Sequence, residues 1–154
     1  MKIPFVSFKP MEQELDIELR SAFERVYQRS WYIEGVEDEE FEHAFAKYCD
    51  RDYCVGTGNG LDALMLALKA FGIGSGDEVL VPSNTYIATA LAVTYVGAKP
   101  VFVEPDIRTF NMDPEKIESA ITGRTKAIMP VHLYGQPCDM DPVMAIAKKY
   151  NLYV

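Results

Sequence analysis

The sequence predicts an α/β fold in which a mostly parallel sheet is flanked by helices, and three observations support this. First, from Tyr53 onward, short apolar runs alternate with amphipathic helical patterns. Second, glycines follow the predicted helices: Gly72, Gly74, Gly76 and Gly97. Chains often leave helices at glycines in a left-handed conformation. Third, Asp113-Pro114 and Asp141-Pro142 each place a capping carboxylate before a proline that suits the first helical position. Such alternation indicates parallel strands joined by right-handed crossovers.

The first third of the chain predicts two helices outside this repeat. Two prolines favour an extended segment over residues 3–10. A helix is predicted from about Glu12 to Arg29, because apolar residues recur there every three or four positions. After an irregular connection, the acidic run 37–40 suits the start of a second helix. Its predicted buried stripe consists of Phe41, Ala44, Phe45 and Tyr48.

The remaining chain predicts a repeated strand and helix pattern. The predicted strands are 53–55, 78–81, 100–103 and 126–131, and the predicted helices are 62–71, 85–95 and those opened by the two Asp-Pro pairs. A fifth apolar strand begins at about Leu152 and reaches the last residue, Val154. Domains seldom end inside a central strand, so we expect a fragment whose α/β domain is truncated.

This pattern predicts two regions. Residues 1–52 form an extended segment with two helices, and residues 53–154 form the first part of the α/β domain.

Composition narrows the class of protein. The chain has 154 residues, 49% of them hydrophobic, which suffices for one core. A net charge of −8 argues against nucleic acid or an anionic membrane as a partner. No apolar run approaches the roughly 20 residues of a membrane span, and the first residues lack a signal-peptide pattern. We therefore expect a cytoplasmic protein.

The cysteines indicate no metal site. Cys49, Cys54 and Cys138 match no zinc-ligand spacing, and an odd number fits poorly with a disulfide framework. They are interpreted as small buried side chains.

A glycine-rich turn, Gly56-Thr-Gly-Asn-Gly60, lies between the predicted strand 53–55 and the helix that follows. Unpaired amides at a helix start form a natural anion site. The dinucleotide fingerprint fails, because Leu61 stands where its third glycine belongs, and no Lys-Ser or Lys-Thr pair completes a nucleoside-triphosphate loop. A small phosphorylated cofactor remains possible on these grounds; the alternative is a tight turn without a ligand.

Five segments in order resemble one enzyme family: 3–6, 58–64, 76–89, 97–103 and 130–137. They are similar to the N-terminal part of the DegT/DnrJ/EryC1/StrS family, the pyridoxal-phosphate-dependent sugar aminotransferases of fold type I. The residues of these segments are closely similar to those of enzymes that aminate carbon 3 of nucleotide-linked 3-keto-6-deoxyhexoses. The resemblance implies the large domain of that fold, with the small C-terminal domain absent from this chain.

The resemblance implies a cofactor site made of Gly60, Leu61, Asp62 and Tyr86. The backbone amides of the first three residues would bind the 5′-phosphate of pyridoxal phosphate (PLP), and the ring of Tyr86 would stack on the pyridine. Leu61 replaces a more usual threonine, which removes one hydroxyl donor. A core aromatic at the start of a helix is the alternative for Tyr86.

Three further residues are candidates for substrate binding. His132 follows a predicted strand and so lies at the same edge as the glycine turn; a histidine satisfied within its own turn is the alternative. Trp31 and Tyr32 are implied by the resemblance to reach the site of a neighbouring subunit in a homodimer. An ordinary contact between helix and sheet is the alternative for this pair.

The resemblance implies transfer of an amino group, usually from glutamate, to a nucleotide-linked keto sugar. The Schiff-base lysine and the aspartate that protonates the pyridine lie downstream of these motifs, and Lys99 and Lys126 fall outside them. No catalytic residue is therefore expected within the 154 residues, and the chain alone is predicted to be inactive. Two alternatives stay open: a sugar dehydratase of the same family, with histidine in place of the lysine, and a non-catalytic phosphate-binding or regulatory protein.

Overall fold

A computed structural model describes residues 3–154. The chain divides into two compact units, one that ends at Gly56 and one that runs from Thr57 to Val154. Each unit is described by itself. Across the described residues, no helix has both the length and the apolar character needed to cross a membrane.

The first unit contains two helices, α1 (Lys9–Arg29) and α2 (Val36–Tyr48). Helix α1 begins three residues earlier than predicted, so the prediction that the prolines keep residues 3–10 extended is wrong at its end. Pro10 lies in the first turn of α1. The missing N–H of a proline costs nothing there, because the amides of the first turn have no partner within the helix.

The predicted buried stripe of α2 is wrong in this structure. Its four residues are all exposed, and only Ala46 is buried in α2. The rings of Phe41 and Phe45 stack on each other along the helix, with centroids 5.4 Å apart. Likewise, α1 has no buried residue. The apolar periodicity predicted the helices correctly, but no described element of this unit covers their apolar faces.

The predicted strand at residues 53–55 does not form. The segment has no strand partner among the described residues, and a strand requires a neighbour for its backbone hydrogen bonds. The amide of Gly56 instead donates to Glu42 Oε1 at 2.6 Å.

The second unit contains a parallel three-stranded sheet of order β2-β1-β3, formed by β1 (Glu78–Pro82), β2 (Lys99–Val103) and β3 (Thr125–Ile128). Beyond β3, Tyr153 makes an isolated parallel bridge to Ala127, where the fifth strand is predicted to begin. The predicted α/β class with a parallel sheet is confirmed.

Helices cover both faces of this sheet. They are α3 (Gly60–Ala70), α4 (Ile87–Tyr95), α5 (Pro114–Ala120) and α6 (Met140–Tyr150), with a short 3-10 turn at Leu133–Gly135. Val79 and Val81 point to one core cluster with residues of α3 and α4, whereas Leu80 points to a second cluster with residues of α5 and α6. This alternation follows from the period of two in a strand.

The helix caps agree with the sequence at one Asp-Pro pair and not at the other. Asp113 caps α5, and its carboxylate accepts from the amide of Glu115 at 3.0 Å. The cap of α6 is Asp139 rather than Asp141, because α6 begins at Met140 and Pro142 is its third residue. Of the four predicted helix-end glycines, only Gly74 lacks the left-handed conformation.

The amino edge of the sheet buries one carboxylate. Glu78 is 2% exposed, accepts from Thr122 Oγ1 at 2.5 Å and pairs with Arg124 Nη2 at 2.6 Å and Lys99 Nζ at 3.8 Å. The hydrogen bond from Thr122, followed by those from Arg124, lowers the pKa of Glu78 below its ordinary value of 4.5. The charge is therefore compensated where it is buried.

Candidate functional site

Helix α3 begins at the glycine-rich turn with two free amides. Asn59 is the N-cap: its Oδ1 accepts from the Asp62 amide at 3.0 Å, and its Nδ2 donates to Asp62 Oδ2 at 2.9 Å. Within residues 3–154, the amides of Gly60 and Leu61 have no hydrogen-bond partner. An anion could therefore bind these two amides directly, whereas the Asp62 amide is already bonded to Asn59.

The turn does not itself require glycine at position 60, whereas a Cβ at Gly56 would come within 3.3 Å of Asp38 Oδ1. None of Gly56, Gly58 and Gly60 has a positive φ, and a Cβ at Gly60 would meet nothing within 4 Å. The tight-turn alternative therefore does not explain Gly60. A residue without a side chain does, however, leave the helix start open to a close-fitting ligand.

The start of α3 lies at the carboxyl edge of the sheet. The end of α3 leads through residues 71–77 into the amino end of β1, so the helix runs antiparallel to that strand. Leu61, in the first turn of α3, and Met129, directly after β3, both pack on the same core cluster. The glycine turn and the ends of the strands are thus on one side of the second unit.

Tyr86 lies at this same edge. Residues 83–86 connect the end of β1 to the start of α4, and α4 packs on the same face of the sheet as α3. Tyr86 is the N-cap of α4, and its side chain makes no capping hydrogen bond. It is 77% exposed, so it is not a core aromatic in this structure. Its ring is available for stacking at the edge that carries the free amides.

His132 follows β3 and is exposed. Its Nδ1 accepts from the amide of Cys138 at 2.9 Å, so one ring nitrogen is satisfied within its own loop, as the alternative interpretation predicted. The other ring nitrogen, Nε2, has no partner among the described residues. The structure thus brings His132 to the carboxyl edge and leaves half of its hydrogen-bonding capacity free.

Trp31 and Tyr32 lie in the first unit, after α1. They are 55% and 64% exposed, so within that unit they do not act as a core contact.

Sequence reasoning missed two amide side chains. The capping role of Asn59 had a signal, because an N-cap residue followed three positions later by an acidic residue resembles a capping box. Asn111, 4% exposed, had none: a single asparagine in a loop gives no periodic pattern, although it is hydrogen-bonded to the segment after β3.

The remaining acidic and sulfur groups show no catalytic arrangement. Asp106 accepts from the guanidinium of Arg108 and, at 2.8 Å, from the Arg108 amide, and these hydrogen bonds lower the pKa of this carboxyl to about 2. Of the cysteines, only Cys138 is buried, so the prediction of burial is wrong for Cys49, which is exposed, and Cys54, which is half-buried. Over residues 3–154 no group of three or more His, Cys, Asp or Glu side chains is placed to hold a metal ion.

Known proteins resemble this chain over most of its length. The model of the DegT/DnrJ/EryC1/StrS aminotransferase family matches residues 13–154. A dTDP-3-amino-3,6-dideoxy-alpha-D-galactopyranose transaminase of Aneurinibacillus thermoaerophilus is 57% identical over 99% of this chain and 42% of its own length.

Solved structures agree with the sequence comparison. The chain superposes on S. venezuelae DesV, solved in complex with a ketimine intermediate, with a TM-score of 0.92 and 49% identity, over 98% of this chain and 41% of the other. It also superposes on NtdA from Bacillus subtilis with bound cofactor PMP, with a TM-score of 0.88 and 38% identity, over 98% and 35% of the two chains.

The chain spans about two fifths of the length of the curated relatives that it matches. The family match nevertheless covers nearly all of this sequence. Sequence, fold and comparisons agree, and the chain belongs to the DegT/DnrJ/EryC1/StrS aminotransferase family.

Proposed function

We propose that the whole protein is a PLP-dependent aminotransferase that moves an amino group, from glutamate, to a nucleotide-linked keto-deoxysugar. Family membership supports the reaction class. The sugar-nucleotide class is supported by relatives such as the Aneurinibacillus transaminase, 57% identical to this chain.

The observation that carries the proposal is the open start of α3. The amides of Gly60 and Leu61 have no partner among the described residues, and no atom occupies the space beside Gly60. These residues fit the 5′-phosphate of the cofactor, and the exposed ring of Tyr86 at the same edge fits the face of its pyridine. A contribution from the Asp62 amide requires Asn59 to release its capping bond.

When bound, PLP supplies the electron sink for amino transfer. The residues of this chain bind and orient it, and none of them moves the proton. Lys99 starts β2 at the opposite, amino edge, where it faces Glu78 at 3.8 Å, and it therefore does not form the Schiff base. We infer that this polypeptide alone does not transaminate.

The substrate side is proposed to include His132 and, from a neighbouring subunit of a homodimer, Trp31 and Tyr32. The free Nε2 of His132 and the exposure of both first-unit aromatics support this assignment. Light scattering of the whole protein tests the dimer, and a monomeric active enzyme contradicts it.

The binding test uses pyridoxamine 5′-phosphate, which lacks the aldehyde that labels surface lysines. Titration into the 154-residue chain, followed by ³¹P NMR, measures phosphate binding. Gly60→Val places a branched side chain at the free amides and is expected to weaken binding at least tenfold. Gly123→Val is the matched control, because Gly123 also has open space around it and no positive φ. Equal affinity of the two variants contradicts the proposed phosphate site.

The activity test compares the chain with the whole protein. With glutamate and a nucleotide-linked 3-keto-6-deoxyhexose, the whole protein is expected to form equal amounts of 2-oxoglutarate and amino sugar. Loss of oxygen from the sugar without gain of nitrogen contradicts amino transfer.

With PLP and borohydride, the 154-residue chain is expected to give no stoichiometric adduct. An adduct at one lysine contradicts its inferred inactivity.

A further inference from the structure

One buried amide holds the segment that follows β3. The Nδ2 of Asn111 donates to the carbonyls of Gln136 at 3.0 Å and Pro137 at 3.1 Å, and its Oδ1 accepts from the Leu133 amide at 3.1 Å. All three hydrogen bonds go to residues 132–138, and Asn111 is only 4% exposed. A buried amide with both donors and its acceptor satisfied by one segment fixes the conformation of that segment.

Cys138 closes the same segment onto His132. Its amide donates to His132 Nδ1 at 2.9 Å, and its Sγ donates to the Val131 carbonyl at 3.1 Å. Burial raises the pKa of the Cys138 thiol, which keeps the S–H donor in place. The segment is therefore held at its start and at its end.

These bonds determine the tautomer of His132. An amide N–H only donates, so Nδ1 of His132 carries no proton, and in the neutral ring the proton is on Nε2. His43, the other histidine of the chain, shows the reverse arrangement. Its Nδ1 lies 2.9 Å from the Glu39 carbonyl, which only accepts, so its proton is on Nδ1.

We propose that Asn111 is a positioning residue: by clamping residues 132–138 it holds His132 in the Nε2–H form, as a neutral donor to an acceptor oxygen of the sugar nucleotide. The identity of this ligand rests on the proposed function, whereas the tautomer and the clamp do not. A neutral N–H donor suits a keto or hydroxyl oxygen, which offers lone pairs without charge.

The first experiment measures the tautomers of the unmodified 154-residue chain. Long-range ¹H–¹⁵N NMR of ¹⁵N-histidine, at a pH where both rings are neutral, distinguishes protonated from unprotonated ring nitrogens. Opposite tautomers are expected, Nε2–H for His132 and Nδ1–H for His43. A His132 ring that carries its proton on Nδ1 overturns the proposal, even if no Asn111 variant folds.

The second experiment removes the clamp. Asn111→Ala is expected to lower the ratio of Nε2–H to Nδ1–H in His132 about fivefold, as for loss of one net hydrogen bond, and to leave His43 unchanged. Asn111→Asp, which keeps the acceptor but removes both donors, is expected to act in the same direction. An unchanged His132 tautomer in a folded Asn111→Ala chain overturns the proposal.

Asn84→Ala is the matched control, because the Asn84 amide donates to the Phe110 carbonyl and to none of residues 132–138. It is expected to leave the His132 tautomer unchanged, and a shift as large as that of Asn111→Ala overturns the assignment to Asn111. The proposed function is tested separately. It fails if pyridoxamine 5′-phosphate does not bind a chain in which both histidines have the expected tautomers.

Discussion

The two units of this chain bury their apolar residues very differently. In the second unit every residue of β1 is buried, and helices lie on both faces of the sheet. In the first unit the 21-residue helix α1 has no buried residue, and α2 buries only Ala46. Both units have amphipathic sequence patterns. The difference shows that such a pattern predicts which face of a helix is apolar but not whether a partner covers it.

The largest expected difference between the units is in hydrogen exchange. Amides of β1 are bonded within a buried sheet, whereas those of α1 belong to a helix with no tertiary cover, which frays and opens readily. We expect exchange in α1 to be several orders of magnitude faster than in β1, measured by mass spectrometry on the isolated chain. Similar protection in both elements would contradict the contrast and imply that α1 is covered in solution.

Truncation of one apolar side chain in each unit compares the two units by the change in the free energy of unfolding. Leu80 is fully buried in β1, so Leu80→Ala is expected to lower the free energy of unfolding by about 2–5 kcal/mol. Phe45 is 46% exposed on α2, so Phe45→Ala is expected to change it by less than about 0.5 kcal/mol. Urea denaturation followed by circular dichroism measures both, and equal effects would remove the distinction.

A smaller effect is expected from the buried carboxylate of the second unit. Glu78→Gln removes a charge that accepts from Thr122 and Arg124, and it should lower the urea midpoint at neutral pH. Because folding lowers the pKa of Glu78 below 4.5, its stabilisation is present above pH 4.5 and is lost as the pH falls through the lower, folded value. The difference in urea midpoint between wild type and Glu78→Gln should therefore become smaller in acid.

Glu118→Gln is the control for this pH dependence. Glu118 pairs with Lys149 at 3.0 Å on the exposed surface, where solvent screens the interaction. Its loss should shift the urea midpoint much less than that of Glu78. If the difference in urea midpoint between wild type and Glu78→Gln widened in acid, this pH dependence would be contradicted.

A small gain in stability, in contrast to the losses expected at Leu80 and Glu78, is expected at the glycine turn. Gly60→Ala adds a methyl group that meets nothing within 4 Å, at a residue without a positive φ. We expect a gain in stability of about 0.4–1 kcal/mol, because alanine restricts the unfolded chain. A loss on thermal unfolding would show that the turn itself requires glycine, which would revive the tight-turn alternative.

Much of the second unit could be predicted from the sequence, because local signals and tertiary structure agree there. Apolar runs, Asp113-Pro114 and the helix-end glycines predicted the strands, the start of α5 and most helix ends. The errors arose where the outcome depends on distant residues. Residues 53–55 have strand-like composition but no strand partner, and the aromatic residues of α2 have an apolar period but no cover.

For the candidate site, the sequence predicted the backbone features. Glycines before an apolar helix indicate free amides, and parallel topology predicted that His132 lies at the edge of the glycine turn, whereas Tyr86 was assigned to the site by the resemblance. The roles of the amide side chains were not predicted, and for Asn111 the sequence offers no signal. Asn59 occupies the Asp62 amide, a contact whose only signal is the acidic residue three positions later, and Asn111 clamps a segment more than twenty positions away, a contact that follows from no local pattern.

The capping bond of Asn59 has one further consequence. Because this side chain already holds the third amide of α3, the first turn is well formed without an anion, and a phosphate bound as proposed at the Gly60 and Leu61 amides would meet a preformed site. The conformational entropy of this turn is lost during folding rather than on binding, so the site is preorganised for an anion.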